Sequence, residues 1–211
     1  MNSGEIRGLY EKNADKKTIL ESYGRLLAEK DGGIGARGDP EELTLGEELA
    51  FMAANFTHPE ALEYLFNLGV DPQVKTRYAF TLLHEAAKRS YYRYRSAPGD
   101  AAKTAELLLD KGVSALRKDD NERMCCYHYA ARTGLWEFVE ALAKRGTRLN
   151  MTDKEGNTGV HIAADYVKHK ISALKLAEKA IERNQGKDDP ASLEVLRTKQ
   201  EEAAGLRESV E

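Results

Sequence analysis

Residues 120–150 read D-N-E-R-M-C-C-Y-H-Y-A-A-R-T-G-L-W-E-F-V-E-A-L-A-K-R-G-T-R-L-N, and this stretch decides the fold. A polar opening leads into His128 and the pair Ala130–Ala131, and Gly134 interrupts the run. Phe138, Val139 and Leu142 then form an apolar stripe that ends at Gly146. Apolar residues on one helical face with a glycine just past the last of them mark an amphipathic helix and its stop. The stretch therefore predicts two short helices joined by a tight connection. Its alanine pair recurs along the chain, ending at Ala54, Ala87, Ala131 and Ala164, at intervals of 33, 44 and 33 residues. A period near 33 is the signature of a solenoid of small stacked units, and the long interval is one period plus eleven inserted residues.

The neighbours of each pair repeat as well. The second unit reads T-L-L-H-E-A-A over Thr81–Ala87 and resumes as E-L-L-L-D-K-G over Glu106–Gly112. The fourth begins D-K-E-G-N-T-G-V-H-I-A-A over Asp153–Ala164. The first is degenerate where it opens, at Glu48–Ala54, but its second half, His58–Pro72, follows the pattern. Together these units resemble the ankyrin repeat, a β-turn plus two helices with a T-P-L-H-x-A core. Cys125, Cys126 and Tyr127 stand where that family favours threonine, proline and leucine, and Leu82 and Gly159 replace the proline. The resemblance covers roughly Leu43 to Lys170 and implies an all-α ankyrin-repeat solenoid of four helix-turn-helix repeats with β-hairpin-like loops. One such helix pair cannot bury its own stripe, such as Leu62, Leu65 and Phe66, so several must stack and the ends must be capped.

The flanks read as those caps. Ile19, Tyr23, Leu26 and Leu27 lie at helical spacing within residues 18–30, ahead of the glycine-rich breaker Asp31–Pro40. Downstream, Ile171, Leu174, Ala177 and Ile181 continue the fourth unit as an elongated last helix. After the breaker Gln185–Pro190, Leu193, Leu196 and Val210 predict a final helix that folds back antiparallel. The expected organisation is a helical cap and glycine-rich linker over 1–42, repeats one to four over 43–184 with an insertion at 91–100, and a C-terminal helix over 185–211. Pro98–Gly99 is expected to turn the insertion, with Asp100 capping the helix that follows.

Composition narrows the function. The chain has 211 residues, with 32 basic against 35 acidic, a formal net charge of −3. Nothing global directs it to nucleic acid or an anionic membrane. There is no signal-like opening and no apolar run long enough to span a bilayer, so a cytoplasmic location is expected. Cys125 and Cys126 are adjacent, poorly placed to staple distant segments, and read as reduced thiols.

No residue pattern announces chemistry. His84, His128 and His161 share one repeat slot, where the resemblance implies an imidazole bonded to the backbone of a neighbouring unit. His161 and Asp165 are four apart, but two ligands without a third make a weak metal site. Cys125 and Cys126 lie near His128 without a catalytic signature around them. The glycines of residues 32–38 lack the G-K-[ST] of a phosphate loop. No catalytic residue, metal or cofactor is assigned, and no small-molecule substrate is implied.

What remains is surface. The resemblance implies that partner-touching residues come from the hairpin tips and the exposed face of each first helix, lining a concave groove. Those positions here are Arg77, Tyr78 and Phe80, then Asn121, Glu122 and Met124, then Lys154, Glu155 and Asn157 on the hairpins. On the helices they are Asn55, Phe56, Lys88, Arg89, Arg132, Thr133, Asp165 and Tyr166. Aromatics mixed with arginines are the types enriched at protein-binding hot spots. The insertion adds Tyr91, Tyr92, Arg93, Tyr94 and Arg95, either as a binding element or as packing for a lengthened helix. The expected function is a protein–protein interaction module or adaptor that binds another protein through its groove without catalysis. The alternatives are a nucleic-acid-associated binder using the Tyr/Arg insertion and an enzyme with a site built across repeats.

Overall fold

A computed structural model describes residues 2–12, 14–29, 33–35, 42–88, 99–184, 197–198, 200–201 and 204. Within these the chain forms α1 (Ser3–Glu11), α2 (Lys16–Glu29), α3 (Leu45–Asn55), α4 (Pro59–Asn67), α5 (Leu82–Lys88), α6 (Asp100–Asp110), α7 (Cys126–Thr133), α8 (Trp136–Lys144) and α9 (Gly159–Asn184). Residues 1–159 form one compact unit and residues 160–211 a second.

In the first unit, the first helices stack α3 on α5 on α7, and the second helices stack α4 on α6 on α8. The paired alanines explain the close approach. Ala53, Ala54, Ala86, Ala87, Ala130 and Ala131 are all buried, and none brings bulk between the helices. The stripes of the second helices bury Leu62 and Leu65, then Ala105 and Leu108, then Phe138 and Leu142. Each fully buried leucine or phenylalanine contributes about 2 kcal/mol of transfer free energy, and each stripe is covered by the first helix of its own repeat and by neighbouring second helices of the stack.

The caps of these helices are read directly from the chain. Thr44 and Glu47 form a reciprocal capping box at the start of α3. His58 caps α4 by accepting from the Ala61 N–H at 3.0 Å, ahead of Pro59. At α6 the cap is Gly99, in the left-handed region at φ 82°, and not Asp100. Asp100 lies one residue inside the helix, 1% exposed, and its carboxylate accepts from Lys16 Nζ at 3.0 Å. Lys16 also pairs with Glu60 at 2.9 Å, so the start of α2 is tied to two of the second helices, α4 and α6.

The N-terminal cap has two helices, of which α1 has no counterpart in the sequence reading. Ile6 and Tyr10, four residues apart, are its buried face, and Asn2 caps it by accepting from Glu5 N–H at 2.9 Å. Gly33–Gly35 make a 3-10 turn that seats Ile34 against Gly46, where a β-carbon would fall 2.3 Å from Ile34 Cγ1. The insertion, Arg89 with residues 90–98, and the segment 185–196 lie outside the described residues.

The fourth repeat departs from the others after its first helix. Its opening keeps the hairpin and the helix start, but α9 then runs unbroken for 26 residues. Val167 occupies the slot that Gly134 fills one period earlier, and no glycine follows before Gly186. Without a residue suited to a left-handed cap, nothing stops the helix. The Gly159 departure also has a cause: a β-carbon there would meet the Tyr127 ring at 3.1 Å.

The hairpins locate the eleventh inserted residue. Thr76 N–H donates to Phe80 C=O and Asp153 N–H to Asn157 C=O, whereas the turn between them runs from Asp119 N–H to Met124 C=O. That turn is one residue longer, so ten insertions precede it and one lies within it. In all three the same slot takes positive φ: Ala79 at 58°, Arg123 at 53° and Gly156 at 85°. A β-carbon in this region costs about 1–2 kcal/mol, partly offset by glycine's greater freedom when unfolded. Arg123→Gly is therefore expected to raise stability by up to about 1 kcal/mol, and Gly156→Ala to lower it by about 1 kcal/mol. Urea midpoints of the two variants check this, and a loss of stability in Arg123→Gly would show that the arginine side chain contributes more than its backbone strain takes away.

Candidate functional site

The hairpins are held open by their own side chains. Asp119 Oδ1 accepts from the N–H groups of Asn121 and Glu122, both at 2.8 Å, and Oδ2 from that of Met124 at 3.0 Å. Asp153 Oδ1 does the same for Glu155 and Asn157 at 2.9 and 2.8 Å. In the shorter hairpin before α5, Thr76 Oγ1 accepts from Tyr78 and Phe80, both at 3.3 Å. Neighbouring hairpins are also linked edge to edge. Asp120 N–H donates to Tyr78 C=O at 3.0 Å and Lys154 N–H to Glu122 C=O at 2.9 Å, with a Lys154–Glu122 ion pair at 2.6 Å beside it.

Burial opposes ionisation of Asp119, but the amides of Glu122, Met124 and Asn121 together outweigh it and hold the carboxyl below its ordinary value. Asp153 is lowered in the same way, its burial outweighed by the amides of Asn157 and Glu155. A charged carboxylate that gathers backbone N–H groups makes a rigid tip, because charge-assisted bonds are about twice as strong as neutral ones.

Behind the tips an aromatic cluster spans α5 and α7. The Phe80 ring lies 4.9 Å from His84 and 5.3 Å from Tyr129, meeting the latter edge to face at 79°. Tyr129 OH donates to Asp119 Oδ2 at 3.1 Å. Burial, and then the Asp119 charge, push the Tyr129 phenol far upward, so it stays a donor. Three cations sit over rings of this region: Lys88 Nζ 5.5 Å from Phe80, Arg132 Cζ 4.9 Å from Tyr129, and Arg77 Cζ 4.9 Å from Tyr78. Lys88, Arg132, Arg77 and Tyr78 are exposed.

The structure distributes the expected partner-facing residues unevenly. Arg77, Tyr78, Phe80, Lys88 and Arg132 gather into this face, with Asn121, Glu122, Lys154 and Glu155 on the tips above it. Two are corrected. Phe56 is 3% exposed because Tyr10 of α1 stacks on it at 4.2 Å, and Met124 is 8% exposed while its carbonyl accepts from His84. Thr133 is half-buried and donates to Ala87 C=O at 3.1 Å, so it joins α7 to α5. Asn55 donates to Glu85 Oε1, and Asn157 folds back on Asp153. Asp165 and Tyr166 stand on α9, in the second unit. Arg89, Tyr91, Tyr92, Arg93, Tyr94 and Arg95 lie outside the described residues. Tyr129, absent from the sequence-based set, occupies the variable slot between the histidine and the alanine pair. A tyrosine there, where the second unit has Glu85, was the available signal.

The histidines are structural in the first unit. His84 Nδ1 accepts from Thr81 N–H at 3.2 Å and its Nε2 reaches Met124 C=O at 3.1 Å. His128 Nδ1 accepts from Cys125 N–H at 3.0 Å and its Nε2 reaches Met151 C=O at 3.0 Å. An Nδ1 that accepts an amide leaves the proton on Nε2, so each ring is a neutral bridge to the next hairpin. Burial lowers both pKa values. His161 is exposed on α9.

His128 therefore has no lone pair directed at a thiol. Cys125 and Cys126 are free and buried, their Sγ atoms donating to Leu116 and Ala115 carbonyls. Burial raises both thiols, the opposite of what a nucleophile needs. Among the described residues no group of three or more His, Cys, Asp or Glu is placed to hold a metal ion, and no helix is long and apolar enough to cross a membrane.

Residues 49–153 match the family model for ankyrin repeats, in three copies. The chain is also similar to a transient receptor potential cation channel subfamily A member 1 homolog of Caenorhabditis elegans. It is 33% identical to it over 79 residues, which is 37% of this chain and 6% of that protein. The chain thus corresponds to a small part of that relative's length.

Proposed function

Since the chain is a member of the ankyrin-repeat family, we propose that it binds another protein across the face built by Tyr78, Phe80, Lys88, Tyr129 and Arg132. The observation that carries this reading is the preorganised set of exposed ring-seated cations, Arg77 on a hairpin and Lys88 and Arg132 on the helices behind it, beside hairpins fixed by Asp119, Thr76 and the inter-hairpin bonds. A face already rigid when free loses little side-chain and loop entropy on association. Arginine and tyrosine are also the side chains that most often dominate such interfaces. An adaptor role without catalysis, and with the cytoplasm as its compartment, accords with two buried, protonated thiols.

Affinity purification from the native cell, followed by mass spectrometry, tests the reading when run beside Tyr78→Ala/Lys88→Ala/Arg132→Ala. The triple variant is expected to weaken the main partner by at least about 2 kcal/mol, roughly thirtyfold, with an unchanged circular dichroism spectrum. Full retention of the partner by a folded triple variant would remove this face as the docking site.

A further inference from the structure

We infer that the partner segment received by this face is acidic, with apolar side chains between its carboxylates. The inference rests on the protein-binding reading above and gives it a chemistry. Arg77, Lys88 and Arg132 are exposed, each is seated over a ring, and among the described residues no carboxylate lies within ion-pair distance of any of them. A ring holds a cation in place without neutralising it, so the positive charge stays available to a ligand.

The acids nearby do not cancel that charge. Glu122 is taken up by Lys154 at 2.6 Å, and Glu85 is turned inward to Asn55. Burial raises the Glu85 carboxyl, with the neighbouring Lys88 charge and the Asn55 bond opposing the rise. On the tips Asp120 and Glu155 remain exposed, against Arg77, Arg123, Lys88 and Arg132. Toward solvent the face therefore presents mainly cations, above the buried Asp119 carboxylate, in a chain whose formal net charge is −3. Guanidinium forks match carboxylates in two-point geometry, and the Tyr78 ring, 45% exposed, offers apolar area beside them.

The same charges would attract a phosphate backbone, but the rings argue for protein. Single-stranded nucleic acid is held by bases stacking on open aromatic faces. Here Phe80 and Tyr129 pack edge to face against each other under Lys88 and Arg132, and Tyr78 lies beneath Arg77.

The test is a selection of short random peptides displayed against the full-length chain. It is repeated with Arg77→Glu/Lys88→Glu/Arg132→Glu and with the control Lys103→Glu/Arg148→Glu, and a labelled single-stranded oligodeoxynucleotide is titrated in parallel. The recovered peptides are expected to be rich in Asp and Glu. They should bind the triple variant at least roughly tenfold more weakly, bind the control unchanged, and weaken severalfold as salt rises from about 0.05 M to about 0.3 M.

Recovery of neutral or basic peptides that the triple variant loses would overturn the acidic chemistry and leave the docking face standing. Peptides of any charge retained by the triple variant, or no enrichment at all, would overturn the inference, and the first of these would remove the face as well. An oligonucleotide bound more tightly than the best peptide and lost in the triple variant would replace protein by nucleic acid as the ligand class.

Discussion

Replacing His84 by alanine is expected to destabilise the first unit by about 3 kcal/mol, among the largest effects of any single change in it. The imidazole is fully buried and bonded at both nitrogens. Its Nδ1 accepts from Thr81 N–H, with Thr81 Oγ1 at 2.8 Å, and its Nε2 reaches Met124 C=O across the interface between repeats. Truncation leaves the buried Thr81 N–H unpaired, takes one of two donors from the Met124 carbonyl, which keeps Asp119 N–H, and opens a cavity beneath Phe80. The unpaired amide costs about 1–3 kcal/mol, and the cavity adds to it. His128→Ala should behave alike, since Cys125 N–H and Met151 C=O are bridged in the same way. Urea unfolding gives the measurement; a loss below about 1 kcal/mol for both would show that water replaces the rings without penalty.

The burial of these rings sets a pH dependence. Burial depresses the His58, His84 and His128 pKa values below the ordinary 6.5. The unfolded chain therefore takes up protons between that value and the lower folded ones, while the folded chain does not. The stabilisation is complete above pH 6.5 and is lost as pH falls below it. Glu85 acts in the opposite sense, because burial raises its pKa and it gains protons while still folded. His84→Asn, which supplies an acceptor and a donor without a titrating ring, isolates the histidine contribution. Its urea midpoint should fall less than that of the wild type between about pH 7.5 and about pH 5.

These histidines show which parts of the fold the sequence carries. A slot that recurs once per repeat, 44 residues on where the insertion intervenes, has the same neighbours each time, so the role of His84 predicts that of His128, and the alanine pairs mark helices that must approach closely. The stripes at Leu62, Leu65 and Phe138 are legible for the same reason, since helical periodicity is local. Burial of Phe56 is not local: it depends on Tyr10, distant in sequence, folding back as part of α1. Met124 is buried where Phe80 and Asn157, in the same hairpin slot, are half-buried, and the 44-residue interval contains the extra residue of its hairpin without locating it. The merging of the fourth repeat into α9 was readable as a missing glycine at Val167. The face proposed for docking was half legible: the slots of Arg77, Tyr78, Phe80, Lys88 and Arg132 place them together in the sequence reading. The seating of cations on rings, and Tyr129 beneath them, required the packing.

Asp119→Ala is expected to cost about 3 kcal/mol and, unlike the histidine changes, to weaken partner binding directly. The carboxylate is 2% exposed and gathers three amides and the Tyr129 hydroxyl. Removing it frees the hairpin tip that carries Asn121 and Glu122, and it releases the ring over which Arg132 is seated. Asp119→Asn keeps one acceptor but turns an N–H donor toward Met124 N–H or the Tyr129 hydroxyl, so a loss of about 1–2 kcal/mol is expected. Tyr129→Phe removes a single hydrogen bond, worth about 1 kcal/mol, and leaves the ring beneath Arg132. It should therefore bind the partner nearly as the wild type does, while Asp119→Ala binds at least roughly tenfold more weakly. The depressed pKa of Asp119 adds a second readout. Its stabilisation is present above the ordinary value of 3.8 and disappears as pH falls through the folded pKa below it, a window separate from that of the histidines. If Asp119→Ala lost stability but kept full affinity, the face would be held by the helices alone, and the rigidity of the hairpin would have no part in recognition.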